Sequence, residues 1–404
     1  MIILVAGLFP TDAVRDAVTL GPVAEARLQM SGAYVALAPI STALDTLTLL
    51  TVPQHIALLL WAIVIFIAWR AGRRRVGAAT RGAGREVLAA IVFLIIVALV
   101  YVAAAVFPRP MAQLDISDPT VFAVDFHSHT KYSHDGRSGW GPEDVRAWHR
   151  GAGFDVVYVT DHRTLQGAEE GIAANPGQAG EGTMILQGLE AVESGQHVNI
   201  LSAGRHYRGI TTTDLRDVDT AAMRLASLIP GNEPIVIQTI PDDLHKVVAA
   251  GGPGTAGVRA IELIDGSPRG LAQARKQRAE IVHVADSLNL ALVAGSDNHG
   301  WGRAAPGWTL MRAAGWRGMP TDSLSSVIER ILRVGRRTST RVVERRIAGG
   351  ESPVALLATG IVVPWRMFTT LPNDARVMWL VWTWLVSILA RGLRAYRIRP
   401  SSRT

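Results

Sequence analysis

Residues 87–107 form an unbroken apolar run. A hydrocarbon core about 30 Å thick takes about 20 helical residues to cross, and inside it every backbone polar group must be satisfied within the segment. In a bilayer this run is expected to be a spanning α-helix. A second run ends at Trp69. Its clean part starts at Ile56, and with residues 47–52 it reaches spanning length, interrupted by Pro53, Gln54 and His55. Neighbouring helices can tolerate such a proline. Between the runs stand Arg70, Arg73, Arg74, Arg75, Arg81 and Arg85, with no acidic residue before Glu86. The positive-inside rule puts that loop in the cytoplasm. Residues 112–345 are then expected on the extracytoplasmic side of the inner (cytoplasmic) membrane.

The flanks fill out this plan. Residues 1–10 are apolar but short and lack a basic leader, so they do not read as a cleavable signal peptide. Residues 1–46 read as an extracytoplasmic or membrane-associated segment, and 47–107 as two spans. Residues 352–404 hold two shorter apolar stretches, 354–365 and 377–390, followed by Arg391, Arg394, Arg397 and Arg399. One crossing, with the other stretch at the interface, would return this basic tail to the cytoplasm. The formal net charge is +7, carried almost wholly by Arg, with Lys only at 131, 246 and 276. Such a balance fits nucleic acid, anionic lipid or a phosphate-bearing substrate. Much of it sits beside apolar segments, where the lipid bilayer is the simpler partner; no protein partner is implied. The absence of Cys excludes disulfides, a thiolate nucleophile and Cys-ligated zinc.

Residues 120–340 alternate short apolar runs with helix-like stretches, the pattern of βα units. Strands are expected over 121–126, 154–159, 184–189, 198–201, 234–238, 258–264 and 290–294. Helices are expected over 142–150, 220–228, 271–287 and 323–334. Seven such strands suggest an α/β barrel, whose catalytic residues come from strand C-terminal ends. His127 and His129 close the first strand, and side-chain alternation points both the same way. Asp161-His162 follows the second strand, Glu190 the third, and Asp297-Asn-His299 the last. His197 is the exception, because it opens its strand. Asp125 shares the face of the two histidines by alternation and could orient an imidazole. His149, His206 and His283 lie off these positions and read as structural or surface groups.

These residues resemble the polymerase and histidinol phosphatase (PHP) domain family. Its H-x-H-T-x-x-S-[DH] opening is matched by His127-Ser-His129-Thr130-Lys-Tyr-Ser133-His134. T-D-H is matched by Thr160-Asp161-His162, G-x-E by Gly188-Leu-Glu190, H-x-N by His197-Val-Asn199, and G-S-D-x-H by Gly295-Ser296-Asp297-Asn-His299. The resemblance covers residues 120–340 and implies a distorted (β/α)7 barrel, here with flanking transmembrane helices. It further implies two or three divalent metal ions, Zn, Mn or Fe before Mg. By the same resemblance, His127, His129, Glu190 and Asp297 would hold one metal. His134, His162 and His299 would hold a second, with Asp135 an alternative to His134. Glu190 and His197 would contribute to a third. Glu190, His197 and Asp297 are the catalytic candidates. A histidine usual near the fifth strand is replaced by Ile240, which leaves the third site empty, impairs its chemistry or calls on Gln238, Asp242 or His245. Arg137, Arg163 and Arg303 sit beside the motifs and are candidates for binding substrate phosphate bidentately.

The expected activity is metal-dependent hydrolysis of a phosphoester on a nucleotide, oligonucleotide or other small phosphorylated substrate. The phosphatase, phosphodiesterase and 5′–3′ exonuclease activities of the family all fall in this range. Two rivals stand beside it. An amidohydrolase barrel also opens with H-x-H, but it usually bridges its metals with a carbamylated Lys, and no lysine here ends a central strand. A degenerate barrel serving as a membrane-bound sensor or scaffold would follow if Ile240 marks lost catalysis.

Overall fold

The computed structural model describes residues 2–75, 82–193, 196–202, 234–239, 243–247, 257–346 and 350–398. The expected helix at 220–228, His206, Arg81, Arg399 and the positions of Ile240 and Asp242 lie outside them. Among the described residues, twelve strands run in chain order: β1 (Val14–Asp16), β2 (Ala26–Met30), β3 (Ala112–Ile116), β4 (Val121–Ser128), β5 (Val156–Val159) and β6 (Met184–Glu193), then β7 (Gln196–Leu201), β8 (Ile235–Gln238), β9 (Ala260–Asp265), β10 (Ala291–Gly295), β11 (Gly307–Arg312) and β12 (Arg341–Arg345). All seven strands expected from the sequence are present.

The sheet they build is not a regular (β/α)7 barrel. It is a ten-stranded mixed sheet in the order β1-β12-β11-β4-β5-β6-β7-β8-β9-β10, while β2 and β3 pair separately. Two physical reasons account for the difference. First, β6 turns back into β7 between Glu193 and Gln196, too short a link for the crossover that a parallel neighbour needs. So β7 lies antiparallel to both β6 and β8. Second, β11 pairs antiparallel with the N-terminal half of β4, Val121 to Val124. That edge of β4 is therefore filled, and β10 reaches β4 only at its carboxyl end. There Asp297 N–H donates to the His127 carbonyl at 2.9 Å, and His129 N–H to the Asn298 carbonyl at 3.0 Å. The sheet curls so that the ends of β4 and β10 meet, which gathers the strand termini over one mouth.

Strand β4 is buried along its whole length, as expected of a strand covered on both faces. Phe122, Val124 and Phe126 pack with Tyr158, Leu186, Ile237 and Val293 on one side. On the other, Ala123 joins Val157, Trp148 and Trp308. The helix Pro142–Ala152 ends at Gly153, whose φ of 85° is the left-handed turn that favours glycine.

Among the described residues, three helices are long and apolar enough to cross a membrane: Val52–Arg73, Ala83–Val106 and Asn373–Leu393. The first begins later than the sequence suggested, because residues 47–48 end a separate helix, Ala38–Thr48. Thr51 and Gln54 explain the boundary. Gln54 N–H donates to Thr51 Oγ1 at 3.4 Å, and Thr51 N–H to Gln54 Oε1 at 3.2 Å. This is a reciprocal cap, with Pro53 in the first turn, where its missing N–H costs nothing. The stretch 354–365 is divided between two short helices, Pro353–Leu357 and Thr359–Thr369, so among the described residues the C-terminal region has one helix of spanning length. Arg70 pairs with Glu86 at 2.8 Å where the first two long helices approach the basic loop.

Asp45 ties these helices to the sheet. Its carboxylate accepts from Arg109 Nε at 3.0 Å, Tyr34 Oη at 2.9 Å and Arg345 Nη1 at 3.3 Å. Arg109 follows the second long helix, and Arg345 ends β12. The side chains of Asp45 and Arg109 are fully buried. Removing one partner of a buried ion pair leaves the other charge uncompensated, at about 3–5 kcal/mol. Asp45→Ala should therefore lower the unfolding midpoint of the full chain in detergent by several degrees. Arg27→Ala, which breaks the exposed pair with Asp115, should cost under about 1 kcal/mol. Equal effects of the two substitutions would remove Asp45 from this role.

Candidate metal centre

The curled sheet brings the sequence candidates to one edge. His127 and His129 end β4, Asp161-His162 follows β5, Glu190 lies near the end of β6, and Asp297 and His299 follow β10. The antiparallel course of β7 resolves the exception. Its first residues lie at the same edge as the last residues of its neighbours, so His197 pairs in register with Val192, beyond Glu190 opposite Asn199.

Glu190 is the hub. Its Oε2 lies 3.0 Å from His127 Nε2, 3.1 Å from His129 Nε2 and 3.3 Å from His162 Nε2. Its Oε1 lies 2.7 Å from His197 Nδ1. Asp297 Oδ1 lies 3.4 Å from Nε2 of both His127 and His129, which are themselves 3.1 Å apart. For metal–ligand bonds of about 2.0–2.1 Å, the edges of an octahedral or tetrahedral shell are about 2.8–3.4 Å. The five donor–donor spacings of Glu190 and Asp297 to the His127 and His129 imidazoles, and between those imidazoles, match the edges of a coordination shell, and His127, His129 and Asp297 form one donor group. A second group joins His129, Asp135, His162 and His299, and a third joins His162, Glu190 and His197; in each, one donor atom per residue lies within 4.8 Å of the others. The donor set, imidazole with carboxylate and no thiolate, fits divalent cations such as Zn, Mn or Fe.

Surrounding groups fix this edge. His127 Nδ1 lies 3.0 Å from Glu262 Oε1, which leaves Nε2 to face the other donors, the carboxylate–imidazole arrangement common behind metal ligands. Asp161 does not enter a donor group. Its two oxygens accept from Thr130 N–H and Oγ1, both at 2.6 Å, and staple the loop after His129 to β5. Asn199 Nδ2 donates to the Phe126 carbonyl at 3.2 Å. Asp125 does not orient an imidazole of the cluster. It accepts from the backbone N–H groups of His127 (3.1 Å) and Ser296 (2.9 Å), and its other oxygen pairs with buried His149 at 2.7 Å. Gly295 has a steric reason to be glycine, since a Cβ there would overlap His127 Cβ and the Glu262 carboxylate. Asp297 holds a left-handed φ of 45°, a strained conformation of the kind that clusters at functional sites.

Several candidates are not brought in. The His134 side chain is 68% exposed, lies 3.9 Å from Asp135 and sets its ring 4.9 Å from that of His162, but it joins none of the donor groups found among the described residues. Ser133 Oγ donates to Asp135 Oδ1 at 2.8 Å, and Asp135 Oδ2 lies 3.2 Å from His299 Nε2 and 3.5 Å from His162 Nε2. Asp135 therefore stands in the second group where His134 was expected. Arg137 donates to the Gly300 carbonyl at 2.8 Å and lies over the Trp140 and Trp301 rings. Arg303 donates to the Arg109 carbonyl, toward the Asp45 ion pairs, and Arg163 is exposed. The cavity over the cluster, about 210 Å³, is lined instead by Arg269, with Gln196, His197 and Thr239. Glu262 and Asp265 were missed in the sequence. Both are buried in β9 and form a further donor group with His127.

The charges are interlocked. Burial pushes the Glu190 carboxyl up, but His127, His129 and His197 more than offset it and hold it well below its ordinary value. His129 is opposed by its own burial, yet Asp297 and Glu190 raise it to about 10. Burial lifts Glu262 to about 8, against the pull of His127. Glu262→Gln should weaken divalent metal binding about 10–100-fold, the usual effect of losing a carboxylate behind a ligand imidazole, as read by competition with a chromogenic chelator. Unchanged affinity would remove Glu262 from that role.

No family model matches the chain, and no curated protein matches it. Solved structures similar to it include PsfC from Pseudomonas syringae, at 17% identity, covering 60% of this chain and 97% of that one, with a TM-score of 0.38. A two-domain protein from Bacteroides vulgatus, described as containing a predicted PHP-like metal-dependent phosphoesterase, is similar at 13% identity over 56% of this chain and 66% of that one, TM-score 0.35. The lesion-specific endonuclease PfuEndoQ from Pyrococcus furiosus is similar at 11% identity over 54% and 57%, TM-score 0.35. Likenesses of this size carry neither family nor activity over to this chain.

Proposed function

We propose that the chain is a membrane-anchored, metal-dependent phosphoesterase. The observation that carries this reading is the approach of both Glu190 and Asp297 to the His127 and His129 imidazoles at coordination-shell spacing, beneath a polar cavity lined by Arg269. The motif resemblance supports the same chemistry. Divalent ions held there supply Lewis-acid stabilisation of charge on phosphoryl oxygens and lower the pKa of a water.

The chain's own groups divide the remaining work. Glu190, with one oxygen toward three imidazoles and the other toward His197, is placed to be shared between ligand groups. Asp297 and His299, in the strained turn after β10, close the far side. Arg269 offers a cation to a phosphate on the cavity wall. His197 is half exposed on that wall, positioned to hand a proton to a leaving alcohol. In the net reaction water adds to phosphorus, the bond from phosphorus to the alcohol oxygen breaks, and the alcohol takes up the proton. We also propose the topology: the basic loop and basic tail in the cytoplasm, and the catalytic domain on the extracytoplasmic face.

The test is a phosphoester screen on the full chain with Mn and Zn added separately, covering mono- and diesters. Turnover is expected with added metal. His129→Ala, which removes a donor shared by two groups, should cut it by at least about 100-fold, in the range of losing a catalytic electrostatic contact. Activity unchanged by that substitution would refute the site. Metal binding without turnover on any ester would leave a binding centre and refute the hydrolase.

A further inference from the structure

A second cavity, about 680 Å³, adjoins the first. The two share Asp135, Ser267, Asp297 and His299 on their walls. They differ sharply in character. The cavity over the cluster is polar, with Arg269 and Gln196. The larger one runs away from the cluster to the two long apolar helices and is lined there by Val52, Ile56, Tyr101 and Ala105. Val52 and Ile56 begin the first of these helices, and Tyr101 and Ala105 end the second. Both helices are of spanning length, so this end of the groove opens where the chain would meet a bilayer.

The junction is built rather than incidental. Gly302 N–H donates to the Ala105 carbonyl at 2.8 Å, which fastens the loop after His299 directly to the end of the second helix. Trp148 Nε1 donates to the Gly302 carbonyl at 3.2 Å. Arg275, on the helix that follows β9, donates to Gln54 Oε1 at 3.1 Å and to the Leu49 carbonyl at 3.3 Å, which holds the start of the first helix against the domain. Trp301, on the groove wall, is half exposed, as suits an aromatic residue at the interface between bilayer and water. A small hydrophilic substrate would leave this apolar trench wet and unused.

We propose that the site takes a phosphate carried on a long hydrocarbon chain, with the phosphate over the ligand cluster and the chain in the groove leading to the two helices. This names the substrate class for the proposed phosphoesterase and rests on that reading for the placement of the phosphate. The substrate is then a membrane-resident lipid phosphate that does not leave the bilayer completely to react.

The test uses the full chain in lipid nanodiscs with Mn, and monoalkyl phosphates from ethyl to decyl, each corrected for partition into empty nanodiscs. With each methylene buried in the groove, kcat/KM should rise by roughly two- to fourfold. Ala105→Phe, which fills the groove, should flatten that rise, and Ile56→Asn serves as the second variant if the first does not fold. Binding is read separately with a decyl phosphonate carrying a terminal diazirine. Its cross-links should fall on residues 52–56 and 101–105, and decyl phosphate should compete them away where ethyl phosphate does not. Turnover of ethyl phosphate with no chain-length dependence would overturn the lipid assignment and leave the phosphoesterase standing. Cross-linking at those residues without turnover would support the groove and refute hydrolysis. Cross-links scattered over the lipid-facing helices, insensitive to competitor, would overturn the inference.

Discussion

The structure turns on one carboxylate. Glu190 is 5% exposed and stands among four imidazoles, drawn from β4, β7 and the end of β5. A lone buried carboxylate is costly unless paired. Here the pairing forces three separate parts of the chain to end at one point. The curl of the sheet, the antiparallel β7 and the stitch between Asp297 and His127 are the backbone features that allow this. Glu262 behind His127 and Asp161 behind Thr130 then hold the edge in place from outside. The site is organised from its centre outward, and the mixed strand order is part of that organisation.

A second constraint joins the domain to the apolar helices. Asp45 gathers Arg109, Arg345 and Tyr34 in a buried network, and Arg275 reaches Gln54 and Leu49. The N-terminal segment takes part too, since β1 pairs with β12 and β2 with β3. Residues 14–30 are therefore woven into the domain rather than appended to it. These ties fix where the long helices meet the ligand cluster, and so fix the groove between them.

Much of this was legible because it was local. The seven strands of the curled region are short, largely apolar runs bounded by turns, and most of the motif residues stand at their ends. What was not legible depended on distant partners. Strand β12 reads Arg341-Val-Val-Glu-Arg345, with only two apolar residues, and its Arg341 pairs with Asp16, far away in sequence. Strand β2 does alternate, with Arg27 and Gln29 between Ala26, Leu28 and Met30, but its partner β3 lies beyond both long helices. The order of strands also could not be read, because it depends on which chain segment wins the edge of β4. In the site, His134 and Asp135 are neighbours in one turn, and the Ser133 hydroxyl holds the Asp135 carboxylate that faces His162 and His299. Glu262 was hidden inside Ala260-Ile-Glu-Leu-Ile-Asp265, a run that reads as core. A carboxylate in the middle of a buried strand needs a partner, and that was the signal available.

On this reading, these side chains share divalent cations through imidazole nitrogen and carboxylate oxygen. An X-ray absorption spectrum at the metal edge of the Mn- or Zn-loaded full chain tests it most directly. A mixed nitrogen and oxygen shell is expected at roughly 2.0–2.2 Å, with the outer-shell scattering of several imidazoles, weakened when His129 is replaced by Ala. A shell of oxygen alone, indifferent to that substitution, would contradict it.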